Sequence, residues 1–265
     1  MKHDYLTIVS IVGHNDGTLS IPAISKSISE LPGSQGLLIS ISRPVGLPDN
    51  IEWRQTFPLN YRQYSLFVMF SLQHYIATEY CLIVQDDGWV LDGKNWSDHY
   101  LNYDYIGAPC HSAIIGEMLY GHFQWVNSPN RVVIQNGGFS LRSKKLLSAP
   151  SSHGALYFFS EEEVLQNEDI QLTGIYRGQL EKLGVRFAPE KVAQNFSFED
   201  LDSTYNVDIN FKKLFGTHSP VRRLINMDTI EYRSRQEVLQ LYKQAEFIDF
   251  LKTELKYKII FKDDQ

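Results

Sequence analysis

Two pairs of neighbouring acids, one glycine pair and one late histidine are the residues of this sequence best suited to chemistry. The apolar run Leu82, Ile83, Val84 ends in Gln85, Asp86, Asp87 and Gly88, so two adjacent carboxylates leave the carboxyl end of a strand. Hard divalent cations such as Mg2+ and Mn2+ take carboxylate oxygens, and their sites often use one or two protein carboxylates and leave the other positions to phosphate and water. A diphosphate suits those open positions; a solvated Asp-Gly turn is the competing reading. Further on, Asn136, Gly137 and Gly138 precede Phe139, Ser140, Leu141, Arg142 and Ser143. Paired glycines let backbone approach a ligand closely, and Asn136 offers an amide to hydroxyl groups, although a Gly-Gly hairpin corner accounts for the same residues.

Glu168 and Asp169 follow Asn167 at the start of a predicted helix. Helix capping and the macrodipole favour acids there, and a carboxylate so placed could also serve as a general base for an attacking hydroxyl. His218 comes after Phe215, Gly216 and Thr217. A lone histidine is most often structural; it becomes a metal ligand only where the fold brings it to Asp87.

These positions need elements to hold them. Tyr5 to Val12 is a buried strand running into the polar loop Gly13, His14, Asn15, Asp16, Gly17. A helix is expected from Ser20 as N-cap, with Pro22 in its first turn, Ile21, Ile24, Ile28 and Leu31 on one face, and Pro32 and Gly33 beyond its end. Leu37 to Ile41 is the next strand, Tyr64 to Ile76 a second amphipathic helix, and Tyr80 to Val84 a third strand. Such alternation implies a mostly parallel sheet covered by helices, which binds ligands beyond the carboxyl ends of its strands. Both His14 to Gly17 and Gln85 to Gly88 lie there. Gly107 to Asn136 reads as loops and short strands over the site, Phe139 to Arg142 as a strand, Asp169 to Leu183 as a helix ended by Gly184, and Val185 to Ala188 as a strand.

From residue 221 to 262 the chain holds nine Lys or Arg against six Asp or Glu, within a protein of net charge −6. Val238, Leu241, Tyr242, Ala245, Ile248 and Leu251 share a helical face, so residues 221–265 are expected to be a basic helical appendage to a domain of residues 1–220. Docking on that domain is favoured over contact with anionic lipid at the inner face of the cytoplasmic membrane or with an assembly partner. The acidic balance argues against nucleic acid as a partner. Cys81 and Cys110 match no zinc or redox spacing and are read as reduced thiols, and no signal peptide or membrane span is apparent, which points to the cytoplasm.

Taken in order, Gln85, Asp87 and Gly88, YDYIGAP from Tyr103 to Pro109, NGGFSLRS from Asn136 to Ser143, Glu168 with Asp169, RFAP from Arg186 to Pro189, and Phe215, Gly216 and His218 resemble a bacterial family of GT-A-type glycosyltransferases, long catalogued as a domain of unknown function and found in surface-polysaccharide loci. The resemblance spans roughly residues 60–220. It implies a GT-A-like, Rossmann-type α/β fold and an inverting transfer of a hexose from a nucleoside-diphosphate sugar, UDP-linked by analogy, to a glycan or lipid-linked glycan of capsule, O-antigen or lipooligosaccharide.

Carried over by position, Asp87 and His218 become ligands of Mn2+ or Mg2+, Asp169 the base with Glu168 next, and His14, Asn15, Asp16, Asp86, Asn136, Gly137 and Gly138 the donor contacts. Gln85 stands where the common motif has its first acid, which makes the metal shell unusual. Two other readings compete: a noncatalytic sugar-nucleotide or glycan-binding subunit of an assembly complex, and a metal-dependent nucleotidyltransferase. The second is disfavoured because no glycine-rich, lysine-bearing phosphate loop follows the first strand.

Overall fold

The computed structural model describes residues 2–113, 132–153, 163–199 and 208–264. Much of the segment expected to form loops over the site, residues 114–131, lies outside them.

Strand β1 (Leu6–Val12) is buried at every residue, as an interior parallel strand covered on both faces must be. Helix α1 (Ile21–Glu30) follows. Its Pro22 sits in the first turn, but the Ser20 side chain makes no cap hydrogen bond; Gly17, at φ 78°, turns the chain into a short 3-10 segment that α1 continues. Next come β2 (Gln35–Ser40), β3 (Ile51–Gln55), α2 (Tyr61–Leu66), β4 (Tyr80–Ile83), β5 (Gly88–Val90), β6 (Tyr105–Ala113), β7 (Val132–Ser143) and α3 (Lys144–Ser152). The main sheet has six strands in the order β3-β2-β1-β4-β7-β6. Five run in one direction, and β7 is antiparallel to both its neighbours. The expected mixed α/β architecture with a mostly parallel, helix-flanked sheet is present.

Several elements differ from their expected form. β3 was not anticipated, because the Ile51–Gln55 edge strand is too polar to stand out. The helix expected over Tyr64–Ile76 is α only to Leu66, then a π turn over Phe67–Ser71 and a 3-10 turn over Leu72–His74. Phe67, Val68 and Met69 are all buried; three consecutive core residues exceed one α-helical face, and a wide turn re-aims them. The helix expected over Asp169–Leu183 is similarly divided into α4 (Glu168–Ile170), a π turn over Gln171–Ile175 and α5 (Arg177–Lys182), with Gly184 at φ 79° closing it. Val185–Ala188 is not a strand but a single parallel bridge from Tyr105 to Phe187.

After α6 (Glu190–Phe196), β8 (Ser197–Glu199) and β9 (Gly216–His218) join β5 in a small sheet of order β5-β9-β8. The tail is more than helix. It contains β10 (Arg222–Asn226), β11 (Thr229–Tyr232), α7 (Arg235–Gln240), α8 (Gln244–Thr253) and β12 (Lys258–Phe261), the strands forming a third sheet. It docks: Leu224, Tyr232, Phe247 and Leu251 share one apolar cluster with Ala23, Trp89, Leu91 and Phe198. Among the described residues no helix is long and apolar enough to cross a membrane. Both cysteines are free and buried, and burial pushes the Cys81 thiol up to about 12.

Candidate active site

The Asp86–Asp87 pair forms the tip of a tight reversal at the carboxyl end of β4. Gln85 N–H donates to Gly88 O at 3.1 Å, and Gly88 N–H to Gln85 O at 3.0 Å. This is a turn, as the simpler reading held, but it is clamped: Ser219 N–H donates to Asp87 O at 3.0 Å and Leu224 N–H to Asp86 O at 2.9 Å. The small sheet brings the histidine to it, because β5 and β9 pair antiparallel with Gly88 opposite His218. β8 pairs parallel with β9 and sets Glu199 beside the same residue.

His218 is thereby held from both sides. Its Nδ1 lies 2.8 Å from Glu199 Oε2, and its Nε2 lies 3.4 Å from Asp87 Oδ1 and 3.4 Å from Gln85 Oε1. Burial opposes charge on the ring, but the Glu199 and Asp87 carboxylates hold its pKa well above the ordinary histidine value. For Asp87, burial acts to raise the pKa, and His218 overcomes it, leaving the carboxyl below its usual range. Asp86 goes the other way, raised by burial and by the charge of Asp87.

The glycine pair separates this cluster from the second acid pair. A Cβ on Gly138 would sit 2.2 Å from His218 Nε2 and 2.6 Å from Gln85 Oε1; one on Gly137 would sit 2.2 Å from Glu168 Oε1 and 3.2 Å from Asp169 Cβ. The close approach expected of these glycines is made by the protein's own side chains. His218, with Asp87 beside it, lies to one side of this two-glycine stretch of β7, and Glu168 and Asp169 lie to the other. Asn136 spends its amide oxygen on that stretch, accepting from Gly138 N–H at 2.6 Å, which leaves only the amide nitrogen for the hydroxyl contact expected of it.

The two acids differ sharply. Glu168 Oε1 is ion-paired at 2.7 Å with Arg142, a guanidinium of 0% exposure that also stacks on the Tyr105 ring at 5.0 Å. Asp169 accepts from Gly137 N–H at 3.0 Å and from Ile170 N–H at 2.7 Å. Burial, followed by the charge of Glu168, raises its pKa to about 7. One acid is committed to an internal ion pair; the other is poised near neutrality.

The first-strand loop completes the crevice. Asn15 accepts from Gly17 N–H at 2.7 Å and Asp16 from Thr18 N–H at 3.0 Å, which lowers the Asp16 pKa. His14 and Asn15 line a cleft of about 190 Å³ with Gln85, Asp86 and Asp87; Asp16 lies beside it with its carboxylate turned to the loop backbone. A second cleft of about 270 Å³ meets the same two aspartates from the tail side, where Arg223, Arg233 and Lys262 line it with Glu231.

Sequence reasoning missed five contributors. Glu199 was hidden in an unrecognised strand, Arg142 in a motif read for its glycines and Asn136, and Arg223, Arg233 and Lys262 in a tail read as an appendage. The positive charge of that tail was the available signal.

Asp87 Oδ1 is buried with no hydrogen-bond partner, and His218 presents Nε2 to it while Glu199 orients the ring through Nδ1, the usual second shell of a metal-bound histidine. Among the described residues no group of three or more His, Cys, Asp or Glu side chains is gathered as for a metal. Two protein ligands fit a divalent cation that completes its shell with phosphate oxygens and water. A zinc-type cage is not what these residues make.

The protein has an α/β fold with a crevice at the carboxyl ends of its parallel strands, lined by the first-strand loop and the Asp86–Asp87 turn. The chain belongs to the family described as "Protein of unknown function (DUF5672)", which it matches over residues 54–218. No curated protein sequence matches it. Among solved structures it is similar to the galactosyltransferase LgtC in complex with donor and acceptor sugar analogs, at 16% identity and TM-score 0.48 over 81% of this chain and 88% of that one. An active-site mutant of LgtC gives 17% and 0.46 over 81% and 87%. A glycosyltransferase involved in the glycosylation of the major capsid of PBCV-1 gives 12% and 0.44 over 80% and 92%. Identities this low leave the chemistry of the present chain to be read from its own side chains.

Proposed function

We propose that the protein is a GT-A-type glycosyltransferase that moves a hexose from a nucleoside-diphosphate sugar, UDP-linked by preference, to a glycan or lipid-linked glycan acceptor in bacterial surface-polysaccharide synthesis, with inversion. The observation that carries this reading is the Gly137–Gly138 stretch of β7, with His218 against one side of it and in reach of Asp87, and Asp169 against the other. The proposed leaving-group site and the proton acceptor are thereby parted only by glycine backbone, which carries no side chain.

In this reading the nucleotide lies in the cleft between His14, Asn15 and the Asp86–Asp87 turn, and its diphosphate extends over Asp87 and His218. Arg223, Arg233 and Lys262 face the same turn and offset the negative charge that accumulates as the sugar departs. A divalent cation held by Asp87 and His218 would supply further positive charge to the diphosphate oxygens. The acceptor oxygen bonds to the anomeric carbon as the bond from that carbon to phosphate oxygen breaks. The hydroxyl proton passes to Asp169, and the nucleoside diphosphate leaves with the electron pair. A carboxylate with its pKa near 7 suits a base working at neutral pH. Glu168, ion-paired with Arg142, takes the positioning role beside Asp169.

The test is release of UDP from UDP-glucose, UDP-galactose and UDP-N-acetylglucosamine, with Mn2+ or with EDTA, alongside thermal shift with each donor. At least one donor should raise the melting temperature and be turned over, and EDTA, Asp87→Ala and Asp169→Asn should each abolish most of that turnover. A donor that binds without any release of diphosphate, on every acceptor tried, would favour the noncatalytic sugar-nucleotide subunit instead.

A further inference from the structure

We infer that the cleft formed by Asn60, Tyr61, Arg62 and Gln166 is a saccharide subsite, which on the glycosyltransferase reading holds the acceptor ring. Its volume is about 280 Å³, near the lower end for small-molecule sites, about 300–1,000 Å³, and suited to one sugar ring.

Its place follows from backbone contacts. Leu59 N–H donates to Gly13 O at 2.8 Å, so the segment before α2 crosses the carboxyl end of β1. One turn into α2, the Tyr64 hydroxyl accepts from Gln85 Nε2 at 3.2 Å, which ties α2 to the acidic turn. On the other wall Gln166, 3% exposed, accepts from Arg62 Nε and precedes Asp169 in the same short connection. The cleft therefore opens between the first-strand loop and the segment that carries the base.

Its chemistry differs from that of the other two clefts of the site. The first holds paired carboxylates, and the second sets Arg222, Arg223, Arg233 and Lys262 against the same pair and Glu231; this one has, among the described residues, an aromatic ring, two amides and a guanidinium and no carboxylate. A neutral polyol is the matching ligand: the apolar face of a pyranose stacks on an aromatic ring while planar donors and acceptors bind its hydroxyls. Tyr61 lines the cleft and is 64% exposed. It stands on a rigid support, because Asn60 and Gln63 form a reciprocal capping box, each side chain bonded at 2.9 Å to the other's backbone N–H. A ring on a fixed backbone loses less entropy when a ligand stacks on it than one on a mobile loop.

The experiment uses the full chain and two readouts. Saturation-transfer NMR with the methyl glycosides of glucose, galactose and N-acetylglucosamine reads the subsite without turnover. At least one glycoside should bind the wild type, bind Tyr61→Phe comparably, and lose about fivefold to tenfold in affinity to Tyr61→Ala, with melting temperatures unchanged. In steady state, Tyr61→Ala should raise the acceptor KM by a similar factor and leave acceptor-independent donor hydrolysis at the wild-type rate.

Absence of glycoside binding to the wild type, or equal binding by Tyr61→Ala, overturns the subsite. Glycoside binding that depends on Tyr61, in a protein that neither binds nor hydrolyses any sugar nucleotide, would retain the subsite and overturn the transferase reading instead.

Discussion

At the scale of single residues, the contrast between Glu168 and Asp169 decides which acid can work. Glu168 faces a guanidinium in a buried pair, whereas Asp169, among the described residues, accepts from two backbone N–H groups and is desolvated. The consequence for pH has a definite sign. An aspartate titrates near 3.9 in the unfolded chain and near 7 in the folded one. Between those values the folded state holds a proton that the unfolded state has lost, so stability falls as pH rises through that window. Asp169→Asn removes this fall while keeping an acceptor for Gly137 N–H. Its melting temperature relative to wild type should rise from pH 5 to pH 8, while transfer is lost. In the wild type kcat/KM should decline below about pH 7 as the base becomes protonated. A flat acid limb, or a melting advantage that does not grow with pH, removes Asp169 from the role. Arg142→Met leaves the Glu168 carboxylate buried without its partner and should cost about 3–5 kcal/mol in denaturant unfolding; Glu168→Gln, which keeps an acceptor, should cost much less.

At the scale of elements, short strands place the chemistry. β5, β8 and β9 are three residues each, and their register alone sets His218 against Asp87 and Glu199. β7 contributes by passing without side chains between the two acidic centres. Gly138→Ala puts a methyl group where His218 Nε2 and Gln85 Oε1 now sit, and Glu199 prevents the ring from swinging away freely. Mn2+ affinity, read by titration calorimetry, should drop by about 10-fold to 100-fold, with the far-ultraviolet circular dichroism of the wild type retained. Unchanged affinity would mean that Nε2 is not a ligand. The alternating segments around β1, β2 and β4 were legible because a buried parallel strand is a continuous apolar run. The π turns after Leu66 and Ile170 were not, since the apolar spacing that implies a helix does not report its local winding.

At the scale of the whole molecule, the tail joins the body twice. Its apolar side completes the cluster around Trp89, and its cations line the cleft that meets Asp86 and Asp87. Deletion of residues 221–265 would bare Trp89, Leu91 and Phe198 and remove Leu224 N–H from Asp86 O. The full chain should therefore unfold in one cooperative calorimetric transition, and the truncated chain should fail to accumulate in soluble form. A soluble truncated protein with a wild-type donor affinity would show that the tail is an accessory to the site. The basic excess after residue 220 was legible as composition, but composition could not say that the charge faces the acidic turn.

The sequence by itself determined the α/β alternation, the strand-end position of Asp86 and Asp87, and the residue types capable of metal and base chemistry, because hydrophobic periodicity and side-chain identity are local properties. Only the tertiary structure decided that His218, 133 residues beyond Gln85, closes on the same turn, that Arg142 takes Glu168 and leaves Asp169 available, and that the tail walls the cleft. Those outcomes depend on strand register and on which buried charges meet, and both are settled by packing between segments that carry no mark of each other in the linear chain.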